Sequence, residues 1–177
     1  MKLPLLVLAL LAAALPRAIA AEPLAVPDAG MMGDIPGAHE LPDPALDYKI
    51  VFDVQTLAGA PGDVDPALQA MAGLINTFRH DGVPASHMHL VAMFHGRTIV
   101  LVANDQTYSQ RTHAGANPNI QILRHLRDAG LLVTVCGQSA REQHYEQQSL
   151  LPFVQTNLSA TVTFINLETR GYIRITE

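Results

Sequence analysis

Leu131-Leu132-Val133-Thr134-Val135-Cys136 is the stretch that decides the fold, because it is almost wholly apolar and signals for a helix follow it directly. A strand of this kind is typically buried on both faces, as in a parallel sheet covered by helices. Ser139, with Glu142 three residues later, matches a capping box and predicts that a short helix begins within three residues of Cys136. The stretch therefore predicts a parallel α/β sheet with a cysteine at the end of one strand.

Upstream of this stretch, strands and helices alternate. Residues 48–54 and 89–94 form two β-prone runs. Between them lies a helical pattern with Asp65 as N-cap and Pro66 at the first helical position. This order predicts a strand, a helix and a second strand before the central stretch.

Further elements complete the alternation. Residues 98–102 fit a strand or a short helix equally, and Asn117 is expected to cap the next helix. Beyond the central stretch, residues 153–156 and 172–176 are predicted as strands on either side of a helix capped by Ser159. The whole pattern predicts a parallel sheet with helices on both faces and right-handed crossovers.

The first twenty residues have the features of an export signal. Lys2 supplies a positive start, residues 3–15 are apolar, and Ala18-Ile19-Ala20 is a small-x-small cleavage pattern. The apolar run is short for a membrane span. We therefore predict a signal peptide over residues 1–20, cleavage before Ala21, and a periplasmic or secreted mature protein.

The mature chain is predicted to have two parts. Residues 21–47 are rich in proline and glycine and show neither helical nor strand periodicity, which indicates an extended arm or linker. The arm is either disordered or wraps a neighbouring subunit, with Met31, Met32 and Ile35 as its apolar contacts. Residues 48–177 are expected to form a single α/β domain.

Charge excludes some classes of partner. Eleven Lys and Arg face sixteen Asp and Glu, and loss of Lys2 and Arg17 with the signal peptide takes the formal net charge from −5 to −7. Phosphate binding needs clustered positive side chains, and the Lys and Arg form no run. We expect no nucleic-acid partner and, after signal cleavage, no membrane attachment.

Cys136 is the candidate reactive residue. A single cysteine cannot form an intramolecular disulfide, even in the oxidising compartment that export implies. Peptide N–H groups at the following helix start would stabilise a thiolate, the nucleophilic form of the side chain. The alternative is that Cys136 only packs in the core.

Two further residues are expected near Cys136, at the carboxyl ends of neighbouring strands where ligands gather in open sheets. His95 follows the second strand and could pair with the thiolate or bind a ligand, and Asp53 lies near the end of the first. His87 and His89 resemble a metal pair but stand at the opposite end of their strand. CxxC, GxSxG, HExxH and phosphate-cradling glycine motifs do not occur, so we predict no cofactor and no metal site.

Several motifs together resemble the DsrE/DsrF-like family in its exported, signal-bearing branch. They are Asn117-Pro118-Asn119, Asp128-Ala129-Gly130, Val135-Cys136-Gly137-Gln138-Ser139, His95-Gly96, Asn104-Asp105, Tyr108, Ser159-Ala160 and Gly171-Tyr172. The resemblance covers residues 48–175. It implies a three-layer α/β/α sandwich with a five-stranded, mainly parallel sheet, and a short helix rather than a strand over residues 98–105.

The resemblance also implies assembly and a site. Family members form trimers or hexamers, so we expect a homo-oligomer, and the best-known relatives carry sulfur on a cysteine as a persulfide. Cys136 and His95 are the expected catalytic residues. The expected ligand-binding residues are Asp53, Gly96, Asn119, Gly137, Gln138 and Ser139.

These observations lead to one functional hypothesis and two alternatives. The hypothesis is an exported sulfur-handling protein in which Cys136 is a persulfide carrier or a sulfurtransferase-like relay between a sulfur donor and an acceptor protein. The first alternative is a non-catalytic oligomeric binding or assembly module with Cys136 buried. The second is a soft-metal binder that uses Cys136, His95 and Met93.

Overall fold

A computed structural model describes residues 23–27 and 29–177. The predicted signal peptide lies outside the described residues, as do positions 21, 22 and 28 of the predicted arm. In the part that is described, none of the helices has the length and apolar character needed to cross a membrane.

Five parallel strands form one sheet. They are β1 (Tyr48–Val54), β2 (Met88–Phe94), β3 (Leu131–Cys136), β4 (Gln155–Asn157) and β5 (Ile173–Thr176), and their order across the sheet is β4-β3-β2-β1-β5. The α-helices are α1 (Pro66–His80), α2 (Asp105–Thr112), α3 (Ile120–Asp128), α4 (Gly137–Glu142) and α5 (Ala160–Thr169). The predicted fold class is confirmed.

Helix α1 begins and packs as its sequence predicts. Its N-cap is Asp65, whose carboxylate accepts a hydrogen bond from the Ala67 N–H at 3.0 Å, and Pro66 occupies the first turn, where an N–H would have no helical partner. Leu68, Met71, Ala72 and Ile75 are buried along one stripe of the helix. This stripe places α1 against the sheet.

The segment between β2 and β3 differs in part from the prediction. Residues Gly96–Val102 form a 3₁₀ helix, which agrees with the helical alternative for residues 98–102. Helix α2 was not predicted, because its exposed polar sequence carries no apolar stripe. Helix α3 begins at Ile120, so Asn119 and not Asn117 is its N-cap, but it is the side-chain oxygen of Asn117 that accepts from the Asn119 N–H at 3.0 Å at this helix start. The Asn117 NH₂ group donates to the Leu101 and Ala103 carbonyls at 2.9 and 2.7 Å.

The two faces of the sheet are covered unequally. Helices α1 and α3 cover one face, where Phe52, Phe94 and Leu123 belong to the larger core. The chain then crosses back from β4 at one edge to β5 at the other, and this reversed crossover places α5 on the opposite face. There Phe164 of α5 packs in a smaller cluster that includes Cys136. The cysteine therefore lies under the face that a single helix covers.

Candidate functional site

Cys136 occupies the junction between β3 and α4. It is the last residue of the strand and also the N-cap of the helix, with extended backbone (φ −72°, ψ 112°), and its Sγ accepts a hydrogen bond from the Ser139 N–H at 3.5 Å. The expected helix is present, but the capping box is wrong: α4 begins at Gly137, so Ser139 lies inside it. The cysteine itself caps the helix.

The Ser139 N–H donates a hydrogen bond to the Cys136 sulfur. The Ser139 hydroxyl and the backbone N–H groups of Ser139, Ala160 and Gln138 all lower the pKa of the thiol. Ala160 is the first residue of α5, so the starts of two helices meet at this atom. Burial raises the pKa of the thiol, but these hydrogen bonds outweigh that effect and bring the pKa below its ordinary value. The arrangement favours the thiolate.

Gly137 lets the chain pass close to β4 directly after the cysteine. A Cβ atom at this position would lie 2.7 Å from the Asn157 carbonyl oxygen and 3.2 Å from Cγ2 of Thr156. Any larger residue would therefore push α4 away from the strand. Since α4 and the chain after β4 carry the donors to Sγ, this contact holds them together.

His95 and Asp53 form a second polar group at the same edge of the sheet. The ring nitrogen Nε2 lies 2.7 Å from Oδ1 of the carboxylate, which is almost fully buried. Gln55 donates to the other carboxylate oxygen at 2.7 Å, and a guanidinium nitrogen of Arg174 lies 3.5 Å from that oxygen. A buried carboxylate with these partners holds the imidazole in one orientation.

The sheet register places His95 beside Cys136. Phe94, the last residue of β2, pairs with Val135. His95 and Cys136, which follow these two residues, therefore lie at the same level, and neighbouring strands are about 4.8 Å apart. Phe164 of α5 contacts the imidazole edge to face, with ring centroids 6.2 Å apart, and packs in the cluster that contains the cysteine. The imidazole of His95 is hydrogen-bonded to Asp53 through Nε2. Within the described part of the chain, no hydrogen bond joins the imidazole to the Cys136 sulfur.

The remaining predicted site residues divide into two groups. Gly96 (φ +53°) and Gln138 lie at this edge: the Gly96 carbonyl accepts from Gln143 at 2.7 Å, and the Gln138 side chain donates to the Leu158 carbonyl at 3.3 Å. Asn119 lies elsewhere. It is buried at the start of α3, where its carbonyl oxygen accepts from the Asp65 N–H at 2.8 Å, so it links the starts of α3 and α1.

Three residues of the site were missed at the level of sequence: Ala160, Phe164 and Arg174. Each reaches the site through α5 or β5, because β5 lies beside β1 and α5 crosses the open face. The guanidinium of Arg174 lies 4.4 Å from the Phe164 ring centroid and pairs with Glu168 at 2.6 Å. The Ser159 cap was a visible signal for the start of α5, but it does not reveal which face the helix covers.

The soft-metal alternative receives little support from the geometry. Met93 is fully buried, and its sulfur accepts from the Thr134 hydroxyl at 3.9 Å. No group of three or more His, Cys, Asp or Glu side chains suited to a metal ion occurs within the part of the chain that the structure describes.

Comparison with known proteins identifies the family. A model of the DsrE/DsrF-like family matches residues 49–176, which is most of the chain. Among solved structures, the chain is similar to MTH1491 from Methanobacterium thermoautotrophicum, a protein of unknown function, with a TM-score of 0.51, 16% identity, and coverage of 74% of this chain and 100% of that one. No curated protein matches. The chain, with its five-stranded sheet and its cysteine at the β3–α4 junction, belongs to the DsrE/DsrF-like family.

Proposed function

We propose that the protein handles sulfane sulfur through Cys136. The DsrE/DsrF-like family is generally linked to sulfur relay, and this chain belongs to it. The observation that carries the proposal is the position of Cys136 as the N-cap of α4, where its sulfur accepts from the Ser139 N–H and neighbouring hydroxyl and N–H groups lower the pKa of the thiol. A hydrogen-bonded thiolate is the form that attacks sulfur. The same donors can stabilise the negative charge that returns to the sulfur when cargo leaves.

The proposed transfer is two successive displacements at sulfur. The Cys136 thiolate attacks the outer sulfur of a donor persulfide R–S–SH, the donor S–S bond breaks, and a new S–S bond forms at Sγ. The products are the cysteine persulfide and the donor thiolate R–S⁻, so atoms, charge and oxidation state balance. An acceptor thiolate then attacks the outer sulfur in the same way and regenerates the Cys136 thiolate.

His95 is proposed to manage the proton in this exchange. In the tautomer that donates from Nε2 to Asp53, Nδ1 is the acceptor nitrogen of the ring. It can take the proton of an incoming persulfide or thiol and return it to the leaving thiolate. Asp53 then acts through His95, as a positioning residue.

A sulfur-loading experiment tests the proposal. The reduced mature protein is incubated with a small-molecule persulfide donor and examined by intact mass spectrometry. We expect a mass gain of one sulfur atom in the wild type, its absence in Cys136→Ser, and its removal from the wild type by an added thiol acceptor. A wild-type chain that stays unmodified over the time in which a free cysteine peptide is persulfidated would defeat the proposal.

The compartment is part of the same proposal. The N-terminal pattern of residues 1–20 supports export and a periplasmic or secreted mature chain. Cell fractionation with N-terminal sequencing should give a mature chain that begins at Ala21. Recovery of the full-length chain in the cytoplasm would contradict this part.

Two observations favour a second candidate, a non-catalytic assembly module that forms a homo-oligomer such as a trimer or hexamer. Cys136 is only 5% exposed. The face covered by α5 alone also exposes apolar side chains, with Leu132 40%, Val162 40% and Ile165 57% exposed.

Thiol reactivity separates the two candidates. If the thiol reacts with iodoacetamide only after denaturation, while sedimentation shows an oligomer that Ile165→Asp dissociates, the assembly module is supported and sulfur transfer is not. Alkylation of the native protein supports sulfur handling.

A further inference from the structure

A cleft far from the cysteine separates the arm from the domain. Its floor is formed by Tyr48 and the last turns of α1, where Tyr48 and Phe78 meet edge to face with ring centroids 4.7 Å apart. Its outer wall is the arm, between Met31 and Leu46. The cleft has a volume of about 790 Å³.

The arm is anchored, so this cleft is part of the fold. Val26 is fully buried, and the buried amide of Asn76 on α1 accepts from the Val26 N–H at 2.8 Å and donates to the Val26 and Gly30 carbonyls at 3.0 Å. The Met32 N–H donates to the Thr77 hydroxyl at 2.9 Å. These bonds fix the near end of the arm, and the Asp43 N–H, which donates to the Tyr48 hydroxyl at 2.7 Å, fixes the far end.

The lining of the cleft combines apolar side chains with carboxylates. Exposed apolar side chains line it, among them Met32 (56%), Ile35 (72%) and Leu41 (66%). Its carboxylates are Asp34, Glu40, Asp43 and Asp81, and its described lining residues include no Lys or Arg. Side chains of this kind favour an occupant that is apolar and positively charged.

The backbone of the arm adds a third feature. Between Met31 and Pro42 it belongs to no strand or helix, and within the described chain its backbone bonds are few: the Met32 N–H to Thr77, and the Ala38 N–H to the Ile35 carbonyl at 3.0 Å. An extended segment lying along the arm could pair with the free amides and carbonyls.

From these three features we propose that the cleft between the arm and α1 binds an extended segment of a partner protein in which apolar side chains stand next to lysine or arginine. The apolar side chains enter the cleft beside Phe78 and Leu41. The cations meet the carboxylates of the lining. Flexible Met31 and Met32 adapt the wall to different side chains.

A labelled heptapeptide of alternating leucine and lysine is the probe, and fluorescence anisotropy with the full mature protein is the measurement. We expect saturable binding that weakens with added salt, and no binding of the matching leucine–glutamate peptide. Leu41→Ser should weaken binding about tenfold, as expected for one buried apolar side chain. The pair Asp34→Asn and Glu40→Gln removes two of the four carboxylates, so it should weaken binding and reduce the salt dependence by about half.

A control variant makes the result specific. Ile173→Ser removes a side chain of matched exposure from β5, 68% against 66% for Leu41, and should bind the lysine peptide as the wild type does. Equal binding of the two peptides, or an equal loss in Leu41→Ser and Ile173→Ser, overturns the proposal. Sedimentation showing that Leu41→Ser converts a dimer to a monomer also overturns it, because the cleft would then hold a second copy of this chain.

Discussion

The imidazole of His95 is held by a carboxylate, Asp53, whose side chain is 1% exposed, while its own side chain is 27% exposed. The pair therefore has a buried end on β1 and an accessible end at the carboxyl edge of the sheet. Asp53 holds the ring through Nε2 from the side of β1, and the rest of the ring lies beside the end of β3. This geometry makes the role of the pair testable apart from that of the cysteine.

Asp53→Asn and His95→Gln should each slow sulfur loading of Cys136 by about a hundredfold, the lower end of the range for positioned acid–base groups. If Asp53 acts only through His95, the double variant should be no slower than the slower single variant. Time-resolved intact mass spectrometry measures the loading rate. Additive losses would contradict the pairing.

Ser139→Ala should raise the pKa of the Cys136 thiol. The variant loses the hydroxyl that lowers this pKa, while the burial that raises it is unchanged. Alkylation by iodoacetamide as a function of pH measures the pKa, and at neutral pH it should be several-fold slower. Ser109→Ala is the matched control, since that hydroxyl donates to the Ala114 carbonyl at 2.7 Å. A profile identical in all three proteins would contradict the expectation.

The same thiol should make stability depend on pH. Burial raises its pKa, the neighbouring hydroxyl and N–H groups lower it by more, and the net pKa lies below its ordinary value in the folded chain. Ionisation then stabilises the fold fully above the unfolded pKa, and this stabilisation is lost as the pH falls through the folded pKa. The unfolding free energy of the wild type minus that of Cys136→Ala should therefore rise as the pH increases from the folded pKa to the unfolded pKa of the thiol. Below the folded pKa this difference should not change with pH. Urea denaturation at several pH values measures it.

Gly137→Ala should lower the free energy of unfolding by about 1–3 kcal/mol, because the added Cβ would lie 2.7 Å from the Asn157 carbonyl oxygen. Gly115→Ala is the control, since a Cβ there meets no atom within 4 Å. Urea denaturation compares the two variants. Equal free energies of unfolding for Gly137→Ala and Gly115→Ala would show that α4 can move away from β4 without a loss of stability.

Asn76→Ala should release the arm. It removes the partner of the Val26 N–H and of the Val26, Ala29 and Gly30 carbonyls, and we expect a loss of at least about 2 kcal/mol. Limited proteolysis should then cut within residues 23–47 faster than in the wild type. Asn166→Ala, an exposed change on α5, should leave both the cutting rate and the stability unchanged.

The strands and α1 were predictable because their signals are local. The apolar run of β3 and the Asp65-Pro66 start of α1 need no knowledge of neighbouring elements. The cap of α4 was not predictable from the usual pattern, since that pattern looks for an oxygen acceptor, whereas the acceptor here is the sulfur of Cys136. Ser139 supplies donors to that sulfur instead.

The second half of the site depends on topology. Ala160 lies near Cys136 because β4 pairs with β3, with Asn157 opposite Cys136, and α5 then turns onto the open face; no short-range signal in the sequence specifies this arrangement. For the same reason Phe164 and Arg174 were missed. His95 and Asp53 lie at the carboxyl ends of two neighbouring parallel strands, so their proximity was predictable. The hydrogen bond between their side chains was not.

The nearness of two helix starts to one sulfur links the acidity of the thiol to the pairing of β4. The chain runs from Asn157 of β4, which pairs with Cys136, into the start of α5 at Ala160. When β3 and α4 have formed but β4 has not paired, the Ala160 amide has no fixed place, and part of the thiolate's support is missing. A nascent or unfolded chain therefore carries an ordinary thiol, which is slower to attack sulfur at neutral pH. Full nucleophilicity would arrive with the pairing of β4, so that partly folded molecules would be poor recipients of cargo.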